Sequence, residues 1–347
     1  MIFSGYIIKI PYWIAWKVHR IFKRENELSF YVGTVHDYYL IKNILPHLNY
    51  PYQIIAKNKS IAKNLQEKGI KSTVWPAFPK TVIMPRHAFH KFPIKAIKKI
   101  GMRHGPYHFK KMIDASKYNA FDLFLFTSEH EVQQAEKQGV HCGVAGGYPR
   151  LDFLQSSENK RHSEELKSEN WFREDQTTLL FTSTWKNSGM SAVDKWINHI
   201  EKLTTDYNII VSLHPSMPTA YYQKVSAMRN IRLVNAHELP AAMQAADMMI
   251  SDTSSVIAEF CALNKPVITF TVEDNKRLTT EIAGMIDEIS LQIDHISQLE
   301  RAILTCEKNP ELKASERKKW NMRFFDDISE SQSQKAASII NEFMANR

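Results

Sequence analysis

From Leu28 onward, short apolar runs rich in β-branched and aromatic residues alternate with longer stretches in which apolar side chains recur at helical spacing. Leu28 to Val32, Tyr52 to Ala56, Thr81 to Met84 and Asp122 to Phe126 read as strands. Between them, Ser60 can cap a helix that Gly69 closes and Ser128 another that Gly139 closes, because a side-chain oxygen satisfies free amides and glycine accepts the left-handed stop. Strand and helix in alternation imply a parallel sheet. A polar, charged stretch from Gln155 to Asp175 interrupts the pattern and marks the expected boundary between a first domain at 26–155 and a second at 176–347. The second βα series has strands at Thr178 to Thr182, Asn208 to Leu213, Ile231 to Val234, Met248 to Ser251 and Pro266 to Phe270, with amphipathic stretches such as Ser191 to Leu203 between them. After Asn275 the pattern is mostly helical and ends in a helix from about Ser331 to Met344 that can pack back on the first domain. The expected architecture is α/β: two Rossmann-like domains with parallel sheets facing a central cleft, and ligands at the carboxyl ends of the strands.

Composition agrees with two cores, since 44% of 347 residues are hydrophobic. Cys142, Cys261 and Cys306 are too scattered for a disulfide framework or a cysteine zinc site, so a reducing cytosol fits best. The formal charge of +8 suits nucleic acid, anionic lipid or an anionic substrate alike. No motif for RNA or DNA is present, and no nucleic-acid partner is expected. Residues 1–25 begin with the apolar and aromatic run Met1 to Trp16 and turn basic at Lys17, Arg20, Lys23 and Arg24. Lys9 and Pro11 interrupt the run, which is short of the about 20 apolar residues a span needs. It also lacks the basic start and small-residue cleavage site of a signal peptide. An interfacial segment is expected, with Trp and Tyr at headgroup depth and cations facing anionic lipid; the alternative is an ordinary first helix packed on the core.

The sharpest motif runs from Asp247 to Phe260, a buried strand leading through Asp252, Thr253, Ser254 and Ser255 directly into a helix. Unpaired amides and the positive dipole end at such a start make Thr253, Ser254 and Ser255 a cradle for a diphosphate, with no metal required for charge neutralisation. Glu259, about one turn further in, can accept hydrogen bonds from ribose hydroxyls. The plain alternative is N-capping by Asp252 or Ser254, with Glu259 solvated. His104 ends the strand-like run Lys98 to Met102 in a turn bracketed by Gly105 and Pro106, where an imidazole can take a proton from an attacking hydroxyl. His214 follows the strand Asn208 to Leu213 in the same manner. Either histidine alone is more often structural; their matching settings, one in each domain, favour function.

The other histidines, among them His19, His36, His47, His87, His90, His108, His130 and His141, show no ligand spacing such as HExxH, so no metal site is expected. The region from Arg86 to Lys111 carries Lys91, Lys95, Lys98, Lys99, Arg103, Lys110 and Lys111 interleaved with Phe92, Tyr107 and Phe109. It reads either as a solvated face or as a patch for an anionic acceptor or lipid.

These residues, taken in order, resemble the CDP-glycerol glycerophosphotransferase family, whose members build teichoic acids and related phosphopolyol capsules. His104-Gly105-Pro106 with Lys110-Lys111 is similar to the family's His-Gly-Thr segment and its trailing lysines; Phe121-Asp122 and Gly147-Tyr148-Pro149-Arg150-Leu151-Asp152 are similar to its Phe-Asp and Gly-x-Pro-Arg-x-Asp elements. Thr184-Trp185-Lys186 resembles Thr-Trp-Arg, His214-Pro215 resembles His-Pro, and Ser251 to Ser255 resembles Thr-Asp-Tyr-Ser-Ser; Lys265-Pro266-Val267 and Glu273-Asp274 follow. Pro106, Lys186 and Thr253 depart from the family's Thr, Arg and Tyr.

The resemblance, over roughly Ile100 to Asp274, implies a GT-B fold, peripheral association with the cytoplasmic face of the membrane, and catalysis by His104 and His214. It implies transfer of a polyol phosphate from CDP-glycerol or CDP-ribitol to a lipid-linked glycan acceptor, with CMP released and no cofactor. Thr184, Lys186, Asp252, Thr253, Ser254, Ser255, Glu259 and Arg150 are then the donor-binding candidates. Two other classes stay open: a GT-B glycosyltransferase or UDP-sugar 2-epimerase, told apart by release of UDP, and a non-catalytic membrane scaffold, which would bind nucleotide without turnover.

Overall fold

The computed structural model describes residues 3–22, 27–106, 114–273 and 278–347, with side chains from residue 9 onward. Lys23, Arg24, Tyr107, His108, Phe109, Lys110, Lys111 and Asp274, named above, lie outside these. The described chain forms two compact units, the first comprising residues up to His104, 114–150 and Ser329–Arg347, the second Gly105, Pro106 and Leu151–Ile328.

In the first unit, β1 (Leu28–Val32), β2 (Tyr52–Ala56), β3 (Thr73–Val74), β4 (Thr81–Met84), β5 (Lys98–Met102), β6 (Leu123–Phe126) and β7 (Gly143–Ala145) form one sheet in the order β3-β2-β1-β4-β5-β6-β7. Every pairing is parallel, with Phe30 of β1 opposite Ile54 of β2 and Ile83 of β4. Alternation along β1 divides the core: Leu28, Phe30 and Val32 pack with Ala336, Ile340 and Met344 of the last helix, Gln332–Ala345, while Tyr31 faces Tyr12, Trp16 and Phe92. Helices start and stop by local chemistry. Ser128 Oγ accepts from Glu131 N–H at 3.2 Å, and Gly69 and Gly139 take positive φ after their helices. The cap of the helix Lys59–Gln66 is Asn58, whose Oδ1 accepts from Ile61 N–H, rather than Ser60, which lies inside the first turn.

The amino-terminal helix Phe3–Ile21 carries two faces. Tyr12 and Trp16 are buried, with Tyr12 Oη donating to Ala77 O at 2.6 Å and its ring against Phe78, so these two aromatics belong to the core and not to headgroup depth. On the opposite side Ile10, Trp13, Ile14, Val18 and Ile21 are exposed at helical spacing. Among the described residues no helix is long and apolar enough to cross a membrane.

In the second unit, β8 (Thr178–Ser183), β9 (Asn208–Leu213), β10 (Ile231–Val234), β11 (Met248–Ser251), β12 (Val267–Phe270) and β13 (Ser290–Ile293) form a parallel sheet in the order β10-β9-β8-β11-β12-β13. The amphipathic stretch Ser191 to Leu203 folds as two short helices, Val193–Trp196 and Ile200–Leu203, with Trp196, Ile197 and Ile200 in the core. The polar stretch from Gln155 to Asp175, expected to be a boundary, is instead built into this unit. Ser156 caps the helix Ser157–Lys167, whose buried positions Asn159, Ser163 and Leu166 form one face; Asn159 Nδ2 donates to Pro240 O at 3.0 Å. Only one of those three buried positions is apolar, so the helical period was hidden in the sequence. Lys265 closes the helix Leu239–Ala245 by donating to Gln244 O and Ala246 O at 2.7 Å, and burial pulls its ammonium down to about 8.

Candidate active site

Each sheet reverses its strand order at one place, between β1 and β4 in the first unit and between β8 and β11 in the second. Loops that leave adjacent strands in opposite directions open a crevice at the carboxyl end of such a point, where α/β sheets bind ligands. Both reversals are held together by a buried aspartate.

In the first unit Asp37 is fully buried just past the end of β1. Its Oδ2 accepts from the backbone N–H groups of Gly33 at 2.8 Å and Thr34 at 3.0 Å, and its Oδ1 accepts from Arg86 Nε, after β4, at 2.7 Å. After β5 come Arg103 and His104. Arg103 is buried, paired with the buried Glu131 at 2.5 Å and donating to Tyr118 Oη at 3.0 Å. Glu131 Oε2 accepts in turn from the N–H and hydroxyl of Thr127, each at 3.0 Å. A pair removed from water this far needs such donors to hold its charge.

His104 stands among these charges. Burial lowers its pKa to about 4, helped by the Arg86 and Arg103 guanidiniums and opposed by Asp37, so the imidazole is neutral and able to accept a proton at pH 7. Arg150, expected among the donor residues, lies in this first unit, buried with Nη1 3.3 Å from His36 Nε2.

In the second unit Asp252 is the tie, and it too is buried. Oδ1 accepts from the Thr184 N–H at 3.0 Å, the Thr184 hydroxyl at 2.9 Å and the Thr253 N–H at 2.6 Å; Oδ2 accepts from the Ser183 hydroxyl at 2.6 Å and the Ala192 N–H at 2.9 Å. Burial raises its pKa against the pull of these donors. Asp252 is thus neither a free cap nor open to a ligand: it fixes the loop after β8 to the turn after β11. Thr253, also buried, spends its hydroxyl on Met190 O and Thr184 Oγ1, each at 3.2 Å. Of the expected cradle, Ser254 is half-buried and Ser255 is exposed, immediately before the helix Val256–Cys261. Glu259 is buried on that helix rather than solvated.

His214 leaves β9, whose Leu213 pairs in register with Ser183 of β8, so His214 and Thr184 emerge from neighbouring strand ends. The His214 ring is exposed, and its Nδ1 accepts the Ser216 N–H at 3.0 Å. That bond needs a lone pair on Nδ1, which places the proton of the neutral ring on Nε2. Lys186 is ion-paired with Asp194, which also accepts from Tyr221 Oη at 2.7 Å.

Each unit therefore gathers its own set: His104 with Asp37, Arg86, Arg103 and His87 in the first, and Thr184, Asp252 and Thr253, with His214 on the next strand, in the second. Sequence reasoning missed Asp37 and Glu131, and named Arg86 only as the start of a basic region. Their signal was position alone, a charged residue shortly after an apolar strand.

The model of the family described as CDP-Glycerol:Poly(glycerophosphate) glycerophosphotransferase matches residues 88–340. The chain is 26% identical over 203 residues to a teichoic acid poly(ribitol-phosphate) polymerase of Bacillus spizizenii, covering 54% of this chain and 31% of that protein. It is 27% identical over 176 residues to a teichoic acid glycerol-phosphate primase of Bacillus subtilis, covering 49% of this chain and 44% of that one. The chain thus spans less than half the length of either relative. A variant of the wall teichoic acid polymerase TagF, soaked with CDPG, superposes with a TM-score of 0.67 at 12% identity, over 93% of this chain and 88% of that chain. A UDP-GlcNAc 2-epimerase from Neisseria meningitidis superposes with a TM-score of 0.58 at 13% identity, over 93% and 100%. The fold, two α/β units with parallel sheets, is GT-B.

Proposed function

The chain belongs to the CDP-glycerol:poly(glycerophosphate) glycerophosphotransferase family, and from that premise we propose that it transfers a polyol phosphate, glycerol phosphate first, from a CDP-linked donor to a hydroxyl of a lipid-linked glycan at the cytoplasmic face of the membrane. The observation that carries this reading is a neutral, half-buried His104 near a strand-order reversal, inside the span the family shares.

In the proposed step the acceptor oxygen attacks the phosphorus that bears the polyol, its proton passes to the His104 imidazole, and the bond from that phosphorus to the CMP oxygen breaks. A base contributes roughly 10²–10⁴-fold to such a step. Ser254, Ser255 and the His214 Nε2 proton face the charge that builds on the phosphates, while Lys186 supplies a cation held by Asp194. Thr184, Asp252 and Thr253 position that surface. Glu259 serves the ribose, and Arg150 supports the His104 side through His36.

Purified full chain offered CDP-glycerol or CDP-ribitol with a lipid-linked glycan is expected to release CMP only when acceptor is present. Release of UDP from a UDP-sugar instead, or nucleotide binding without turnover, would replace this reading. The His214 assignment has its own test. Glutamine can place an N–H near the position of Nε2 and asparagine cannot, so His214→Gln should keep kcat within about tenfold while His214→Asn loses about 10²–10³-fold, the cost of one transition-state donor. Equal losses in the two variants would remove the donor role.

The exposed stripe of the amino-terminal helix, with Lys17 over Trp13, supports contact with an anionic membrane surface. Some of the described basic residues between Arg86 and Lys111 have partners of their own. Lys91 lies over the Trp75 ring and Lys99 donates to Ile94 O and Ile97 O. Lys98 reaches Asp122.

A further inference from the structure

The edge of the first sheet farther from His104 carries two adjoining cavities that the proposed reaction does not use. β3 is the edge strand there, four strand spacings from β5 and so roughly 19 Å across the sheet from the strand that ends near His104. One cavity, of about 590 Å³, lies between the helix Lys59–Gln66 and the chain that leads into β3. Lys59, Lys63 and Lys71 line it, with Ala62 and Ile70, which pack on the core beneath. None of the described residues lining it is a carboxylate. Lys63 has Glu67 at 3.9 Å, an exposed and loose pair that leaves the lysine able to change partner. The second cavity, of about 510 Å³, shares the segment Gly69 to Ser72 with the first and is lined beyond it by Tyr38 and Tyr52. The Tyr52 ring is 44% exposed and meets Phe30 of the core edge to face, with centroids 6.0 Å apart. Burial raises the Tyr38 phenol, so its hydroxyl keeps a proton to donate.

We propose that these joined cavities bind a polyol-phosphate chain, its phosphates on the lysines and its hydroxylated units against the tyrosines, at a place separate from the chemistry. The inference rests on the transferase reading given above and adds a second contact for the polymer. Charge complementarity selects a polyanion, since a neutral glycan would leave the lysines unused. Spacing selects a chain over a single anion. Lys59 and Lys63 stand one turn apart on one helix face, about 5–6 Å from each other, close to the separation that one glycerol unit sets between successive phosphates. Lys71 comes from another segment, so a chain laid along the cavity meets a third cation before it reaches the tyrosines.

The test is calorimetric binding of a short poly(glycerol phosphate) fragment to the full chain. The wild type is expected to bind it, and Lys59→Gln with Lys63→Gln and Lys71→Gln to lower the affinity by about tenfold to a hundredfold. In the same variant the slope of log affinity against log salt should fall by about 2, roughly 0.7 for each lysine that releases a counterion. All three lysines are exposed, so the variant folds. Lys137→Gln with Lys160→Gln and Lys202→Gln removes the same charge from exposed positions outside the cavities and should leave the affinity within about twofold. Inorganic polyphosphate carries no polyol, and single-stranded DNA no run of small hydroxylated units, so each should bind several-fold more weakly. Binding of either as tight as that of the polyol chain would mark a general polyanion surface and overturn the proposal.

CMP release tells this inference from the reading it rests on. The lysine variant at the cavities should keep wild-type kcat and KM with a short glycan acceptor and lose only its affinity for polymer. A wild type that releases CMP yet binds no polyol chain, or a lysine variant that binds the chain as the wild type does, overturns the site and leaves the transferase reading standing. A wild type that binds the chain and releases no CMP from either donor removes that reading and leaves the site.

Discussion

His104→Ala is expected to lower kcat for CMP release by about 10²–10⁴-fold in a protein that still folds, because it removes the neutral base assigned to the step, which stands among Asp37, Arg86 and Arg103. The accompanying pH dependence is more specific than the loss itself. Burial and two guanidiniums hold the His104 pKa at about 4, so the base form persists well below neutrality. The acid limb of kcat/KM, which reports the free enzyme, should therefore fall near pH 4 and not near the ordinary histidine value of about 6.5. An arriving phosphate adds negative charge beside the guanidiniums and raises the proton affinity of the imidazole, so the limb in kcat should lie at higher pH than that in kcat/KM. Arg86→Gln removes a cation that lowers this pKa and leaves Asp37, which raises it; the kcat/KM limb should move upward. A purely structural role for Arg86 would lower activity without moving the limb. Near-normal turnover in folded His104→Ala, or a wild-type limb in kcat/KM near pH 6.5, would rule out His104 as the base.

Why His104 was visible in the sequence and its surroundings were not follows from the range of the interactions. The apolar run that becomes β5 and the Gly-Pro turn after it are local, so the strand end could be read directly. The Asp37–Arg86 tie joins residues 49 apart in the chain and exists only because β1 and β4 pair in register. Strands buried on both faces, such as β8 and β9, were legible as continuous apolar runs. Three strands escaped: β3 has 2 residues, β7 begins at a glycine, and β13 mixes Ser290 and Gln292 with Leu291 and Ile293. Asp252 was read as a cap or a ligand contact because the sequence shows it before a helix. Its actual partners, Ser183, Thr184 and Ala192, come from the loop after another strand.

That relocation of Asp252 carries the second large expectation. In Asp252→Asn one carboxylate oxygen becomes an NH₂ group. If it replaces Oδ2 it faces the Ala192 N–H, and if it replaces Oδ1 it faces the Thr253 N–H. Hydroxyls can rotate to accommodate a donor, but those backbone amides cannot. Either orientation leaves a buried donor against a donor, and breaking a buried charged network costs about 3–5 kcal/mol. For a unit of this size the first thermal transition should fall by about 10 °C, with the loss confined to the second unit. Ser254→Ala and Ser255→Ala, at the half-buried and exposed positions of the same turn, should leave that transition in place and instead raise KM for the CDP-linked donor. That contrast would separate two functions within four consecutive residues, with Asp252 and Thr253 tying the loops together and the proposed donor contact left to the serines beyond them. If Asp252→Asn melted with the wild type while losing donor affinity, the carboxylate would be a ligand contact after all, and the tie between β8 and β11 would have to lie elsewhere.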